Sequence, residues 1–314
     1  MESEYTSARK QEIVKKIVKL KKEKNAVILA HYYTLPEIQD ISDYLGDSLG
    51  LSRQAASTDA SIILFCGVTF MAETASIISP GKKVIVPDNT AGCSLAESIT
   101  GKDLQEWKEN NPDGVIVSYI NTTAEVKAYT DICCTSANAL KVAESIPSDK
   151  KILFVPDKNL GRYIRYKTGR DMELWPGNCC VHNRFTTSLV ISLAEQYPDA
   201  EILIHPESSC SADPYIHNHS RTFFYSTSGM INHAVESKAQ QFIIITESEI
   251  IHRLKQLCPA KEFIPAGTKA LCRDMQKSTL ENVLTALKYE KHEIRVEESI
   301  RKMAWPSIER MLKI

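Results

Sequence analysis

The sequence lacks the long apolar run of a membrane span and the apolar core of a secretion signal. Its longest apolar candidate, SIILFCGVTFMA, is well short of the roughly 18 residues that a span needs and contains Gly67 and Thr69. The N-terminal stretch MESEYTSARKQEIVKKIVKLKKEKN carries several acidic residues and reads as an amphipathic helix. We therefore expect a soluble cytoplasmic protein with no membrane partner.

Basic stripes, aromatic RNA-binding runs and zinc-finger spacings are also missing. The 314 residues carry a formal net charge of -1, with 25% charged and 43% hydrophobic residues. These values are ordinary for a globular enzyme. A nucleic-acid partner is therefore not expected.

The nine cysteines include no Cys-x-x-Cys pair. That absence argues against zinc ribbons and ferredoxin-type runs, and the odd, scattered count argues against a secreted disulfide framework. Reduced thiols, some of them serving a metal, fit better. For Cys66, which lies inside a predicted strand, and for Cys133 we expect the role of a buried hydrophobic residue; Cys258 we take as incidental.

Short runs of Val, Ile, Leu and Phe alternate with longer amphipathic stretches, which indicates parallel strands joined by helices and an α/β fold. One long helix is predicted over PEIQDISDYLGDSLGLSRQAA, with Pro36 near its start. The strands fall into three successive sets, which are 26–33, 61–67 and 82–88; 114–121, 132–136 and 151–157; and 200–207, 223–228, 241–247 and 262–267.

This repetition predicts three similar three-layer α/β/α domains. We place them at residues 1–98, 99–185 and 186–292, with the N-terminal helix in the first domain and a C-terminal helix, 293–314, packing back on it. One long doubly wound sheet is the alternative, since all βαβ units look alike. One cysteine follows each closing strand, at positions 86 and 93 residues apart, which suits one sulfur supplied per domain: Cys93, Cys179 and Cys272.

The opening strand of each set ends in polar residues at positions i and i+2. Such residues face the same side of a strand, and ligands of parallel α/β sheets bind beyond the carboxyl ends of the strands. Each domain can thus offer two side chains to one shared cavity: His31 and Tyr33, Tyr119 and Asn121, and His205 and Glu207.

The second strands of the three sets end in GVT, CTS and STS, just before a helix. Ser136 and Thr227 could therefore present hydroxyls beside a helix N-terminus, where phosphate or carboxylate is attracted, and GDS adds Ser48. Simple helix capping is the alternative for each of these residues.

Three cysteines from three domains, with histidines nearby, could hold either zinc or an iron–sulfur cluster. Three thiolates on a four-iron cluster leave one iron without a protein ligand, free to bind a substrate oxygen as a Lewis acid. That arrangement would suit dehydration chemistry on small hydroxy or carboxy compounds.

A dense series of motifs runs in one order through residues 26 to 290: AHYY, PEIQDISDYLGDSLGLSRQA, VIVPDNTAGCSLAE, SYINTTAEVKA, CTSANA, LFVPDKNLGRY, WPGNCCVH, HPE, STSGM and FIPAGT. In this series the chain resembles the quinolinate synthases, iron–sulfur enzymes of de novo NAD biosynthesis. The resemblance implies a pseudo-threefold arrangement of three α/β domains around a central [4Fe-4S] cluster bound by Cys93, Cys179 and Cys272. It also implies condensation of iminoaspartate with dihydroxyacetone phosphate to quinolinate, phosphate and water.

The family motif W-x-G-x-C-x-V-H aligns with residues 175–182, which makes Cys179 the ligand and leaves Cys180, for which we expect a packing role, at a variable position. We hypothesise Glu207 as the principal base and Tyr33 as its acid/base partner, with His205 a further candidate for proton transfer. The resemblance implies these substrate-binding residues: His31, Tyr33, Ser48, Tyr119, Asn121, Ser136, His182, His205, Glu207 and Thr227.

The chain departs from the family pattern at Thr34, where many members have Gln, and in the stretch 208–225. An aspartate-oxidising enzyme is the expected metabolic supplier of the unstable iminoaspartate. An alternative enzymatic function is that of an aconitase-like hydro-lyase. An alternative without catalysis is an iron–sulfur sensor or a zinc-stabilised metabolite-binding module.

Overall fold

The computed structural model describes residues 2–267 and 270–314, with side chains from residue 8 onward. It contains three four-stranded parallel sheets, each with the strand order second, first, third, fourth. This confirms the predicted α/β class and the three similar domains. Among the described residues, no helix is both long enough and apolar enough to cross a membrane.

Along the chain, the helices and strands fall into three successive groups, one for each sheet. The elements before and within the first sheet are α1 (Glu2–Glu23), β1 (Ala26–His31), α2 (Pro36–Ile41), β2 (Tyr44–Gly46), α3 (Ser48–Ser57), β3 (Ile62–Cys66), α4 (Thr69–Ile78) and β4 (Lys83–Ile85). Those of the second are α5 (Gly101–Asn110), β5 (Val115–Tyr119), α6 (Ala124–Ala128), β6 (Ile132–Cys134), α7 (Ala139–Ser145), β7 (Ile152–Val155), α8 (Lys158–Thr168) and β8 (Glu173–Leu174). Those of the third are α9 (Thr187–Gln196), β9 (Glu201–Ile204), α10 (Pro214–Asn218), β10 (Thr222–Phe224), α11 (Thr227–Glu236), β11 (Gln241–Ile245), α12 (Ile250–Leu257) and β12 (Glu262–Pro265), followed by α13 (Leu280–Tyr289) and α14 (Glu298–Lys313).

The chain forms two compact units, which are described separately. Residues 1–93 and 273–297 make the first, and residues 94–272 and 298–314 make the second. The first unit contains one sheet and the second unit contains the other two. The central strands are buried on both faces, which explains their nearly continuous apolar sequences.

The predicted helix after Pro36 is in fact two helices with a strand between them. The Asp43 main chain donates to the Ile28 carbonyl at 2.9 Å, and its side chain accepts from the Ile28 N–H at 2.8 Å. These bonds hold the chain beside β1, so that Tyr44–Gly46 adds the edge strand β2. The helical prediction over this stretch is therefore wrong at its middle, because a tertiary contact outweighs the local pattern.

The C-terminal segment also differs from the expected assignment. Helix α13, which the sequence pattern predicts in the third domain, packs its buried face with Ile17 of α1 and Ile28 of β1. Residues 293–296 do join the first unit, through main-chain bonds to β4 and to Ser76. Helix α14 instead packs on α6 and β6 of the second sheet, because its buried face of Ala304, Ile308 and Met311 is covered there. The expected return of 293–314 to the first domain is thus wrong for α14.

Glu290 ties together three parts of the first unit. It ends α13 and accepts bonds from Lys24 at 2.5 Å and Lys83 at 2.6 Å. The hydrogen bonds from these two lysines lower the pKa of Glu290 to about 2. A lowered folded-state pKa means that the stabilisation is complete above the ordinary carboxyl pKa and is lost as the pH falls toward 2.

Replacing Glu290 by Gln should reduce stability slightly at neutral pH. Exposed ion pairs each contribute about 0.2–1 kcal/mol, so we expect the thermal midpoint to fall by about 1–3 °C at pH 7. The difference from the parent protein should vanish as the pH falls from about 4.5 toward 2. Thermal unfolding across this pH range measures it, with Glu12→Gln, which removes one pair on the α1 surface, as the control. An unchanged difference down to pH 2 would contradict the assignment.

Candidate active site

The register of the three sheets makes the ends of their first strands equivalent. Adjacent strands pair Ala30 with Cys66, Ser118 with Val155, and Ile204 with Ile245. The next residues along the first strands therefore occupy matching positions, and they are His31, Tyr119 and His205. The expected correspondence of these three strand ends is confirmed.

Glu207 is the centre of a buried polar cluster in the second unit. Its side chain accepts a short hydrogen bond from the Tyr119 hydroxyl, and its second oxygen lies 3.2 Å from Nδ1 of His182. Nδ1 of His205 lies 3.9 Å from the oxygen that Tyr119 contacts. Tyr119 is the last residue of β5 in the second sheet, and Glu207 lies just beyond β9 of the third, so this cluster joins two of the predicted domains.

His182 links the carboxylate to a cysteine. Its Nδ1 lies 3.2 Å from Sγ of Cys179, and its Nε2 lies 2.8 Å from Oγ1 of Thr246. Nδ1 thus faces both the sulfur and the carboxylate, and Nε2 faces the Thr246 hydroxyl, which can either donate or accept. The sulfur of Cys179, a nitrogen of His182 and an oxygen of Glu207 all lie within 4.8 Å of one another, so these three groups could hold a metal ion.

The electrostatics of the cluster keep Glu207 ionised. Burial alone raises its pKa, but the charge and hydrogen bond of His182, with help from His205 and Tyr119, more than offset this and lower the pKa of Glu207. Burial and the Glu207 charge raise the pKa of the nearby Asp157. Glu207 therefore carries a negative charge that can accept a proton or bind a cation.

Three other predicted residues lie in the second unit, and one of them contacts this cluster. Oγ of Ser136 lies 3.2 Å from Nε2 of His205. Thr227 is buried at the first position of α11, and the cap of that helix is the side chain of Ser226, which accepts from the Gly229 N–H. The buried amide oxygen of Asn121 has no hydrogen-bond partner among the residues that the structure describes. Capping does not explain the hydroxyl of Thr227, and Asn121 retains an acceptor for a ligand.

The remaining predicted residues lie in the first unit. The Tyr33 N–H donates to Nδ1 of His31 at 3.2 Å, and the two rings meet edge to face at 4.5 Å. The Glu207 N–H makes the matching bond to Nδ1 of His205 at 3.4 Å, so the two His-x-(Tyr/Glu) turns share one local geometry. Ser48 is the first residue of α3, whose cap is Asp47.

Burial separates the nine cysteines. Cys66, Cys133, Cys134, Cys210 and Cys258 are buried, Cys180 is exposed, and the half-buried thiols are Cys93, Cys179 and Cys272. Burial raises the pKa of Cys66, Cys134 and Cys210, which disfavours the thiolate form that a metal needs. Burial of Cys66 and Cys133 is as predicted. The packing role expected for Cys180 is wrong, because its side chain is exposed.

The predicted equivalence of the strand ends GVT, CTS and STS is wrong for GVT. GVT follows β3, the third strand of its sheet, whereas CTS and STS follow second strands; the first-sheet counterpart of CTS and STS is GDS after β2. The true counterparts of Val68 in GVT are Asp157 and Glu247, each two residues beyond its equivalent strand position. Both acids are buried, and neither was predicted as part of the site.

Thr246 and Asn159 were also missed. Thr246 contacts His182, and the Asn159 side chain donates to the Glu207 carbonyl at 3.1 Å. Thr246 directly follows β11 and precedes the buried Glu247, whereas Asn159 lies two residues after the buried Asp157, in the first turn of α8. For Thr246, a polar residue directly after a buried strand was the available signal.

The chain is similar to known proteins of one family over nearly its whole length. Residues 15–313 match the model of the family described as "Quinolinate synthetase A protein". A curated quinolinate synthase of Pyrobaculum aerophilum is 50% identical over 95% of this chain and 98% of its own length. Those of Synechocystis and Thermus thermophilus are 48% and 46% identical, over 96% and 98% of this chain and 95% and 98% of their own lengths. The chain therefore belongs to the quinolinate synthase family.

Proposed function

We propose that this protein is a quinolinate synthase, which condenses iminoaspartate with dihydroxyacetone phosphate to give quinolinate, phosphate and water in NAD biosynthesis. Family membership over nearly the whole chain supports the reaction. The single observation that carries the proposal is the buried cluster of Glu207, Tyr119 and His182 beside Cys179. A purely structural metal site does not need such a cluster, whereas repeated proton transfers do.

The proposed cofactor is a [4Fe-4S] cluster held by Cys93, Cys179 and Cys272. These are the half-buried cysteines, and each follows the closing strand of its sheet. Partial exposure suits a thiolate ligand better than the full burial of five other cysteines does. When bound, such a cluster supplies an iron without a protein ligand that acts as a Lewis acid and assists the loss of hydroxide.

The substrates carry carboxylate and phosphate groups, and the proposed binding residues suit these anions. Ser48 and Thr227 each begin a helix, where unpaired N–H groups and the helix dipole favour negative charge. Ser136 adds a hydroxyl held by His205, and Asn121 offers a buried amide whose oxygen a substrate N–H can satisfy. The other proposed binding residues are His31, Tyr33, Tyr119, His182, His205 and Glu207.

Proton transfer is assigned to Glu207, with Tyr33 and His205 as further acid/base groups. A carboxylate with a low pKa is a weak base on its own. We therefore propose that Glu207 works with the two groups bonded to it, so that a proton taken from substrate is shared with the Tyr119 phenol and the His182 imidazole. Burial of the cluster keeps bulk water away from these transfers.

The reaction also implies a metabolic neighbour. Iminoaspartate is unstable, so an enzyme that oxidises aspartate must supply it close to where it is used. We place both activities in the cytoplasm.

Anaerobic purification should give a brown protein with about four irons per chain, because three thiolates retain a cubane cluster. Adding iminoaspartate and dihydroxyacetone phosphate should then release quinolinate and inorganic phosphate in equal amounts, measured by chromatography and a phosphate assay. Colourless protein with stoichiometric zinc would reject the cluster. Iron-loaded protein that forms no quinolinate would instead favour a hydro-lyase or a sensor.

A further inference from the structure

One main-chain connection recurs in all three sheets near the cysteines. In each case the residue three positions beyond the end of the third strand donates its N–H to the carbonyl two residues before the cysteine. The three bonds are Thr69 to Ala91 at 2.8 Å, Lys158 to Gly177 at 2.8 Å, and Ser248 to Ala270 at 3.0 Å. The loops that carry Cys93, Cys179 and Cys272 are therefore attached to their sheets in the same way.

Two of the three loops have a second attachment, made by a buried carboxylate. One oxygen of Asp157 accepts from the Cys179 N–H at 3.0 Å, and the other accepts from the N–H groups of Asn159 and Leu160 at 2.9 and 2.8 Å. The carboxylate thus joins the start of α8 to the cysteine itself.

Glu247 repeats this arrangement in the third sheet. One of its oxygens accepts from the Cys272 N–H at 3.3 Å and the other from the Glu249 N–H at 2.8 Å. Two different acids at equivalent positions thus make the same pair of bonds, to the residue two further along the chain and to the cysteine.

Burying an acidic side chain costs free energy unless hydrogen bonds replace those that it makes with water. Asp157 and Glu247 are both 0% exposed. A buried carboxyl group is tolerated when hydrogen bonds replace its water, and in both residues each oxygen accepts from at least one main-chain N–H group. In the first sheet the equivalent residue is Val68, and the hydroxyl of Thr69 donates instead to the Ala91 carbonyl at 2.9 Å.

We propose that Asp157 and Glu247 are positioning residues that fix the main chain of Cys179 and Cys272, so that the two thiols are held ready to bind and retain the cluster. This inference rests on the proposed function, because it takes these cysteines as cluster ligands. Cys93 lacks such an acid at position 68, so two of the three ligand loops carry this carboxylate support. Replacing a residue that hydrogen-bonds to a metal ligand and so orients it typically lowers metal affinity by about 10- to 100-fold.

Asp157→Asn and Glu247→Gln test the inference with little change in shape. Each amide keeps one oxygen, which can still accept from the neighbouring turn, but its NH₂ group faces the cysteine N–H and cannot accept from it. We expect each variant, reconstituted anaerobically, to release iron to a ferrous chelator about 10-fold faster than the parent. The electron paramagnetic resonance spectrum of the reduced cluster should also change.

Asp213→Asn is the matched control. Asp213 caps α10 through the Tyr215 N–H at 2.9 Å, and its other oxygen accepts from Thr187 at 2.6 Å, so it has the same two-sided bonding without a ligand cysteine. Its iron release and spectrum should match those of the parent. The thermal midpoint of each apo-protein shows whether the effect is on the cluster or on the fold.

Different results would contradict the proposed function and the proposed role of the two acids. A parent protein that binds no iron would overturn the ligand assignment itself. A parent that binds iron, with both variants releasing it at the parent rate and with the parent spectrum, would overturn only the role of the two acids. If Asp157→Asn does not fold, Glu247→Gln decides, because Glu247 caps a turn and not a long helix.

Discussion

Cys179→Ser should leave the protein unable to retain an iron–sulfur cluster. A serine hydroxyl is a far poorer ligand for iron than a thiolate, and one of only three proposed ligands would be lost. After anaerobic reconstitution and desalting, we expect the iron content to fall from about four to below about one per chain, with loss of the brown absorption. Quinolinate formation should fall below detection with it.

Cys180→Ser is the control that the sequence itself provides. The two cysteines are adjacent, but Cys179 is half-buried against His182 whereas Cys180 is exposed. Cys180→Ser should keep the parent iron content and turnover. Equal iron contents in the two variants would contradict the assignment of Cys179 as the ligand.

Glu207→Gln should separate chemistry from cofactor binding. The amide keeps the size of the side chain and can still accept from Tyr119, but it has no charge and cannot take up a proton at neutral pH. Loss of an acid/base group typically costs about 10²–10⁴-fold in rate, so we expect kcat to fall by that factor. Iron content should stay at the parent level, since the three proposed ligands are unchanged.

Glu201→Gln is the matched control for this variant. Glu201 also pairs with a histidine, His233, at 2.7 Å, but it begins β9 and so lies at the opposite end of the strand that leads to Glu207. Its turnover should equal that of the parent. Full turnover by Glu207→Gln with an intact cluster would remove Glu207 from the base role.

Local sequence predicted the fold well where burial is uniform. Each of the ten predicted strands is present, because strands covered on both faces read as apolar runs. The missed strands are the short edge strands β2 and β8, which have three and two residues and too little apolar sequence to be noticed. Strand β2 exists because Asp43 bonds to Ile28, a contact that no local pattern contains.

Local sequence likewise predicted some residues of the site and not others. Polar residues two apart at strand ends singled out His205 and Glu207, because alternation along a strand is a local property. The family motifs, and not spacing, singled out His182. Asp157 and Glu247 were not predicted because GVT, which follows a third strand, was matched with CTS and STS, which follow second strands. The residues equivalent to Val68 were therefore sought at the wrong strand ends.

The sequence by itself determined that this is an α/β protein of three repeats, with one cysteine after each closing strand and polar pairs at the strand ends. These features follow from hydrophobic period and spacing, which every stretch of chain carries locally. The tertiary structure decided which thiols are half-buried, that Tyr119 meets Glu207 across two sheets, and that two buried acids hold the main chain of Cys179 and Cys272. Such contacts join residues far apart in the chain, so they depend on strand order and register and are set only when the sheets pack.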